Sequence, residues 1–326
     1  MKKIMNITTN GEDLLRFQSR EDLKCYLKGF DLDGLEVLEA GEDERRVIDS
    51  GDVLGVHLRY YSAWMDLWTG NRGRLLDEFG TMEICRDLFG GDTDQALVDA
   101  YVRNVAFANK LSPEYMVFHV SECTMEESMR RVYHYTDEEV ADAAAELINR
   151  FASHISGQPW LLLENLWYSG MTMERPEIVC RLLEKVKYPK VGVMLDVGHL
   201  LHTNMELKTI DQGVDYIHSI LDRYDDLSFI KGVHLHQSLS GDHAKECIAS
   251  WQKTPGSYQE QMWDILTHIF QIDTHRPFRS SRIGEILERL PGLEYLVLEQ
   301  ISADREEHAR QLQEQMAVLS LANVDL

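Results

Sequence analysis

Eight short apolar runs, separated by segments with helical patterns, constrain the fold of this sequence most strongly. Several runs are apolar almost throughout, which is typical of strands buried on both faces of a parallel sheet. Strands that alternate with helices predict a (β/α)₈ barrel or a doubly wound sheet, and eight strands favour the barrel, as a single domain over residues 1–326. The predicted strands are 3–8, 35–40, 53–58, 115–120, 160–166, 191–196, 229–236 and 295–301.

The segments between the runs carry helix start signals. Thr136 and Glu139 have the spacing of a capping box, and Pro176 lies where the first turn of a helix tolerates proline. Two connections, 59–114 and 237–294, are longer than one loop and one helix require. We therefore expect extra helices over one end of the barrel, where long insertions often act as lids.

Charge and cysteine content limit the partners and the compartment. The sequence has 33 Lys and Arg against 55 Asp and Glu, and its net charge of −22 disfavours nucleic acid as a partner. Its five scattered cysteines suit free thiols in a reducing compartment. The N-terminus turns polar too early for a secretory signal, and no apolar stretch approaches the roughly 20 residues that span a bilayer. We expect a cytoplasmic protein with a small-molecule substrate and no membrane contact, and a homo-oligomer is compatible with the sequence.

Polar side chains follow the apolar runs at the ends of most predicted strands. In barrel enzymes the active site lies at these carboxyl ends. Each residue alone could be a hydrogen-bonded rim residue or a helix cap, but carboxylates gathered at one mouth repel each other unless a cation lies between them. We therefore predict a divalent metal site. The residues are Glu39, His57, His119, Glu164, Asp196, His234, His236 and Glu299.

Four residues from the last four strands form the predicted metal site. Three carboxylates and one imidazole favour Mn²⁺, with Co²⁺ and Mg²⁺ as alternatives. Further imidazoles from His57 and His119 would recruit a second metal or favour Zn²⁺. The four predicted ligands are Glu164, Asp196, His234 and Glu299.

Four strand-end segments resemble the motifs of the xylose isomerase-like, apurinic-endonuclease type-2 barrel superfamily. This superfamily includes ketose 3-epimerases, hydroxypyruvate-isomerase-like enzymes, inosose dehydratases and endonuclease IV. The segments are LENL (163–166), LDVGH (195–199), GVHLHQS (232–238) and LVLEQI (296–301).

The resemblance implies the same four metal ligands and further roles for three histidines. His199 would be a metal ligand in the endonuclease branch and a substrate contact in the sugar branch, and His57 and His119 fall where the endonuclease branch has further ligands. That branch expects Asp-x-His soon after the GxHLN segment. The sequence offers only the adjacent Asp242 and His243 there, so we do not expect a complete trinuclear site.

The sugar branch implies a metal-dependent isomerase, epimerase or related lyase that acts on a sugar or hydroxy-ketone through an enediolate. Glu164 and Glu299 would be the acid and base, and His199 would orient the substrate. Aromatic residues near the mouth suit a sugar ring or a glycoside, although two of them, spaced four apart, could simply pack a helix. The predicted substrate contacts are His57, His119, His236, Trp64, Trp68 and Trp167.

Two other functions remain open. The first is a hydrolase of the endonuclease IV type with a multinuclear metal site, whose substrate need not be DNA. The second is a barrel that binds metal without turnover.

Overall fold

The barrel is a closed sheet of eight strands in which every neighbouring pair is parallel. The structure, a computed structural model, describes residues 1–43, 46–253 and 256–322. Its closure confirms the predicted (β/α)₈ barrel and excludes the doubly wound sheet. In chain order, strands β1 to β8 are Lys2–Thr8, Gly34–Leu38, Val53–His57, Tyr115–His119, Trp160–Glu164, Val191–Asp196, Ile230–His234 and Tyr295–Leu298.

Helices surround the barrel and fill the long connections. A two-stranded antiparallel ladder, Ser121–Glu122 with Ser169–Gly170, lies outside the barrel sheet. In chain order, helices α1 to α15 are Gly11–Leu14, Arg20–Gly29, Trp64–Trp68, Arg72–Phe79, Met82–Phe89, Asp94–Leu111, Met125–Arg130, Asp137–Phe151, Pro176–Lys185, Val197–His202, Ile210–Leu221, Gly241–Ser250, Tyr258–Ile272, Ile283–Leu287 and Arg305–Leu321, with 3₁₀ turns at Ser50–Asp52 and Ala152–His154.

The predicted helix starts are confirmed. The Thr136 side chain accepts a hydrogen bond from the Glu139 N–H, and the Glu139 side chain bonds back to the Thr136 backbone, so the capping box is complete. Pro176 is the first residue of α9, where its missing N–H costs no helical hydrogen bond.

Strand alternation places an apolar layer inside the barrel, below a polar one. The rings of Tyr115 and Tyr295 meet in the apolar layer with centroids 4.5 Å apart. Gly55 leaves room for this packing, because a Cβ there would lie 2.1 Å from the Tyr115 ring. Residues two further along a strand face the same way, so the polar strand ends also point inward. The apolar layer comprises Ile4, Tyr115, Val117, Leu162, Met194, Tyr295 and Val297.

The two long connections contain the expected additional helices. Connection 59–114 forms α3 to α6, and connection 237–294 forms α12 to α14. Ile269 of α13 lines a cavity at the barrel mouth, so the second insertion covers part of that mouth.

All five cysteines are free thiols in the structure. Within the described ranges, none of the helices combines the length and apolar character needed to cross a membrane.

Candidate metal centre

Glu164, at the end of β5, lies at the centre of the polar layer. Its Oε2 is 2.9 Å from Nε2 of His57 and 3.2 Å from Nε2 of His119. Its Oε1 is 3.0 Å from Nδ1 of His234. Imidazoles from β3, β4 and β7 therefore engage both oxygens of a carboxylate whose side chain is only 1% exposed.

A second group of donors converges on Nδ1 of His234. This nitrogen lies 3.2 Å from Oε2 of Glu299 and 3.6 Å from Oδ2 of Asp196, in addition to its contact with Glu164. The ligand atoms of the four residues all lie within 4.8 Å of one another. The structure thus brings together the four ligands predicted from the sequence.

A third group includes two residues that sequence analysis missed. Nε2 of His199 lies 3.2 Å from Oδ2 of Asp273, and the same oxygen lies 2.8 Å from Nε2 of His275. With His236, these residues also offer ligand atoms within 4.8 Å of one another. The first group, which consists of His57, His119 and Glu164, shares Glu164 with the second group. The third group is joined to them through the contact of His236 with Asp196.

The Asp-x-His pair is therefore present, and the expectation that it is missing was wrong. Asp273 and His275 come after the two helices α12 and α13, much further from β7 than Asp242 and His243. The adjacent Asp242 and His243 lie on α12 instead. Asp242 is exposed and pairs with Lys208. An Asp-x-His search across the whole connection would have found the pair.

The segment that carries Asp273 and His275 is fixed by local contacts. The Ser238 hydroxyl donates to Oδ1 of Asp273 at 3.1 Å and accepts from the Thr274 N–H at 3.1 Å. His275 has a φ of 43°, in the left-handed region that non-glycine residues rarely adopt. Strained backbone of this kind is concentrated at functional sites.

Glu36 supports the centre and was also missed. It is buried inside the barrel, where Nε2–H of His234 donates to its carboxylate at 3.1 Å, so that Nδ1 of His234 faces the other carboxylates. Such an outer hydrogen bond orients a metal-binding imidazole. The predicted residue of this strand, Glu39, is exposed, because β2 ends at Leu38 and alternation turns residue 39 outward. The period of two along the strand is the signal that points to Glu36.

The LDVGH segment forms a tight turn from β6 into α10. Oδ1 of Asp196 accepts the His199 N–H at 2.6 Å, which caps the helix and leaves Oδ2 for the centre. The Asn165 side chain makes two 2.9 Å hydrogen bonds to the Asp196 backbone. Gly198 is required for space, because a Cβ there would lie 2.0 Å from the His236 ring.

The protonated imidazoles of His199, His234 and His275 balance the buried carboxylates, whereas burial lowers the pKa of His119. Burial opposes the ionisation of Glu164, yet His119 and His234 hold its pKa well below the ordinary value. Burial also disfavours the charged form of His199 and His275, but Asp196 and Asp273 raise the pKa of His199 to about 10, and Asp273 and Glu299 raise that of His275 to about 9. Divalent cations could replace these protons as the balancing charge.

The donor set fits divalent cations. The buried Nδ1 atoms of His119, His236 and His275 find no hydrogen-bond partner among the described residues. Nδ1–H of His57 donates to the Leu58 carbonyl at 2.9 Å, which leaves Nε2 free to coordinate. Imidazole and carboxylate donors in three adjoining groups are ligand types that divalent ions accept, and the outer contacts of His57 and His234 fix the orientation of their rings.

A cavity of about 250 Å³ opens above the centre. Of the predicted substrate contacts, His57, His119 and Trp167 line it, together with Tyr60 and Tyr168. No Lys or Arg of the described chain is among the lining residues.

The other three predicted substrate contacts lie outside this cavity. The Trp64 indole N–H is buried and donates to the Ser121 carbonyl at 2.8 Å, and Trp68 lies beside Arg150. The two tryptophans thus pack their short helix against the two-stranded ladder and α8. His236 is fully buried, with Nε2 3.0 Å from Oδ2 of Asp196. Its position suits support of Asp196 better than contact with a substrate.

The sequence matches the family described as xylose isomerase-like TIM barrel over residues 74–320. The chain belongs to this family. The expected resemblance is therefore confirmed, and the family is one of barrels with the architecture described above. No protein with a curated description matches the chain.

Two solved structures illustrate the range of proteins that share the family's fold. D-psicose 3-epimerase, in the presence of D-fructose, is 12% identical with a TM-score of 0.52, over 99% of this chain and 98% of that chain. Endonuclease IV from Thermus thermophilus is 16% identical with a TM-score of 0.51, over 98% of this chain and 99% of that chain. At such low identity, these two structural matches show a common fold alone.

Proposed function

We propose that the protein is a metal-dependent hydrolase that cleaves a phosphoester with a cluster of two or three divalent cations. The main support for this proposal is that three groups of potential metal ligands adjoin one another at Glu164 and Asp196. Closely spaced divalent ions are typical of phosphatases and nucleases, where they lower the pKa of a coordinated water and neutralise phosphoryl oxygens. The residues that would hold them are His57, His119 and Glu164; Glu164, Asp196, His234 and Glu299; and His199, His236, Asp273 and His275.

The composition of each group favours particular metals. The first and third groups are rich in imidazole, which suits Zn²⁺, whereas the second is rich in oxygen donors and accepts Mn²⁺ as well. Mn²⁺ alone, the first choice from the sequence, would leave the histidine-rich groups poorly matched.

Glu164 and Glu299 are suited to different roles. The Glu164 side chain is 1% exposed and both of its oxygens face imidazoles, which suits a ligand rather than a group that exchanges protons with a substrate. Glu299 is 14% exposed and lines the cavity. We assign Glu299, the member of the second group that faces the cavity, as the base that takes a proton from the attacking water. The water oxygen then bonds to phosphorus, the P–O ester bond breaks, and the leaving alcohol takes up the proton held by Glu299.

The cavity favours a small phosphoester with a sugar or aromatic part. Tyr60, Trp167 and Tyr168 offer aromatic faces to such a group. Because none of the described lining residues is Lys or Arg, only the cations would balance the phosphate charge. The net charge of −22 repels polyanions. A small ester therefore fits better than a nucleic acid, although endonuclease IV shares the fold.

A sugar isomerase or epimerase is the second candidate. The group Glu164, Asp196, His234 and Glu299 alone would suffice for one cation and an enediolate mechanism with His199 orienting the substrate. D-psicose 3-epimerase shares the fold. This candidate leaves His57, His119, Asp273 and His275 without a role in the chemistry.

Metal counting combined with two assays separates the candidates. We expect Glu164→Gln to lose two ions per chain and Asp273→Asn to lose one, measured by inductively coupled plasma mass spectrometry, with circular dichroism to verify folding. The metal-loaded protein should hydrolyse bis-p-nitrophenyl phosphate. Proton exchange at a ketose carbon in D₂O, with no phosphoester hydrolysis and no ion lost in Asp273→Asn, would instead support the isomerase.

A further inference from the structure

A separate cluster of side chains that could hold a metal ion lies on α12 and α13, two helices of the insertion after β7. His243 and Cys247 are four residues apart on α12 and so share one face of that helix. Sγ of Cys247 lies 3.4 Å from Nε2 of His243. His268 of α13 faces them, with its ring centroid 5.4 Å from that of His243. The three ligand atoms lie within 4.8 Å of one another.

His268 is a buried imidazole with one nitrogen left unpartnered by the described residues. The residue is 6% exposed, and its Nδ1 finds no hydrogen-bond partner in the part of the chain that the structure describes. Burial, reinforced by His243 and Arg131, lowers the pKa of His268 to about 4. The imidazole is therefore neutral at physiological pH and keeps a free lone pair. A buried imidazole in this state is costly unless a donor or a cation meets it.

We propose that His243, Cys247 and His268 bind a Zn²⁺ ion that fixes α12 to α13. A cysteine sulfur and two imidazoles are ligand types that Zn²⁺ accepts, and water would fill the fourth tetrahedral position. Burial raises the pKa of the Cys247 thiol, so the ion would have to displace its proton. The hydrogen bond between Cys247 and His243 leaves Nδ1 of His268 without a partner in the described ranges of the chain, whereas a bound ion would contact all three side chains.

The ion would stabilise the segment that completes the main centre. His268 is followed by Ile269 at the cavity and, after α13 ends, by Asp273 of the third donor group. Fixing α13 would therefore position both the roof of the cavity and one ligand of the centre. The site does not rest on the proposed hydrolase activity, because its ligands are separate from those of the main centre.

Cobalt substitution can detect this site alone. The main centre offers only nitrogen and oxygen donors among the described residues, so a thiolate-to-Co²⁺ charge-transfer band reports a sulfur ligand at the second site. We expect the band in Co²⁺-loaded protein, its complete loss in Cys247→Ser, and its retention in Cys180→Ser, whose cysteine is exposed on α9. Absence of the band from the unaltered protein, or its persistence in Cys247→Ser, would overturn the proposal.

Two further measurements keep the result independent of folding and of the main centre. The half-buried His243, replaced by Gln, should lose one ion per chain while circular dichroism remains unchanged; no loss would contradict the site. Glu164→Gln should keep the charge-transfer band even though it loses ions from the main centre. Failure of the hydrolase assays with an intact band would refute only the proposed function.

Discussion

Nε2 of His199 lies 3.2 Å from Oδ2 of Asp273, although the two residues follow different strands of the barrel. His199 lies in α10, which directly follows β6, whereas Asp273 follows helices α12 and α13 of the insertion after β7. The contact therefore joins the barrel to its insertion. It also makes the third donor group depend on how that insertion packs.

Asp273→Asn should abolish most phosphoester hydrolysis, because it removes the anion between His199 and His275. We expect a decrease in kcat/KM of about 100-fold or more, the scale of losing one charge-stabilising group. Asp242→Asn is the matched control, because Asp242 is exposed on α12 and should leave the rate unchanged. Equal rates in the two variants would remove the third group from the mechanism.

Glu36→Gln should weaken metal binding without removing a ligand. The carboxylate orients His234, and loss of such an outer partner typically costs about 10- to 100-fold in metal affinity. Competition with a chelator measures the effect. Glu39→Gln, three residues away on the exposed side, should bind metal as the unaltered protein does. If both variants bind equally well, His234 does not depend on Glu36 for its orientation.

Gly198→Ala should destabilise the protein because the new methyl group overlaps the His236 ring. Overpacking of this kind costs about 1–3 kcal/mol. Gly29→Ala is a suitable comparison, because Gly29 ends α2 with no atom within 4 Å of the added Cβ. Urea unfolding of both variants gives the difference. An unchanged midpoint for Gly198→Ala would show that His236 can move aside.

Glu78 should make the protein less stable as the pH rises. Burial raises its pKa from 4.5 to about 7, although the Met125 N–H donates to it at 2.9 Å. Between these two values the unfolded chain has lost a proton that the folded chain still binds, so the free energy of unfolding decreases from about pH 4.5 to about pH 7.

Glu78→Gln removes this decrease and should stabilise the protein at pH 8 by an amount on the order of 2 kcal/mol. At pH 4 the variant and the unaltered protein should have similar stability. The neighbouring exposed Asp77, changed to Asn, controls for the loss of one negative charge. A stabilisation of equal size in Asp77→Asn would assign the effect to net charge.

The barrel and part of its centre could be predicted because strand periodicity is a local signal. The apolar runs located eight strands to within a few residues, and Glu164 and Asp196 at the ends of two of these strands point into the barrel mouth. His57 and His119 followed from the same rule.

The missed residues either lie inside an apolar run or reach the centre from a distant segment. Glu36 lies inside an apolar run, so only a correct strand end at Leu38 reveals that it points inward. Asp273 and His275 follow two inserted helices. Hydrophobic periodicity predicts such helices but not the position at which the chain after them contacts the barrel. Trp64 was misjudged for the same reason, since only packing decides which side of a short helix faces the mouth.

The position of Glu164 between imidazoles from three other strands has a consequence for biosynthesis. Its partners extend from His57 to His234, and the last carboxylate of the group, Glu299, follows the strand that closes the barrel against β1. A chain still on the ribosome lacks that final strand. Loading of the proposed ions would therefore require a chain whose last strand has joined the barrel, and a product truncated before Tyr295 would lack Glu299 of the second group.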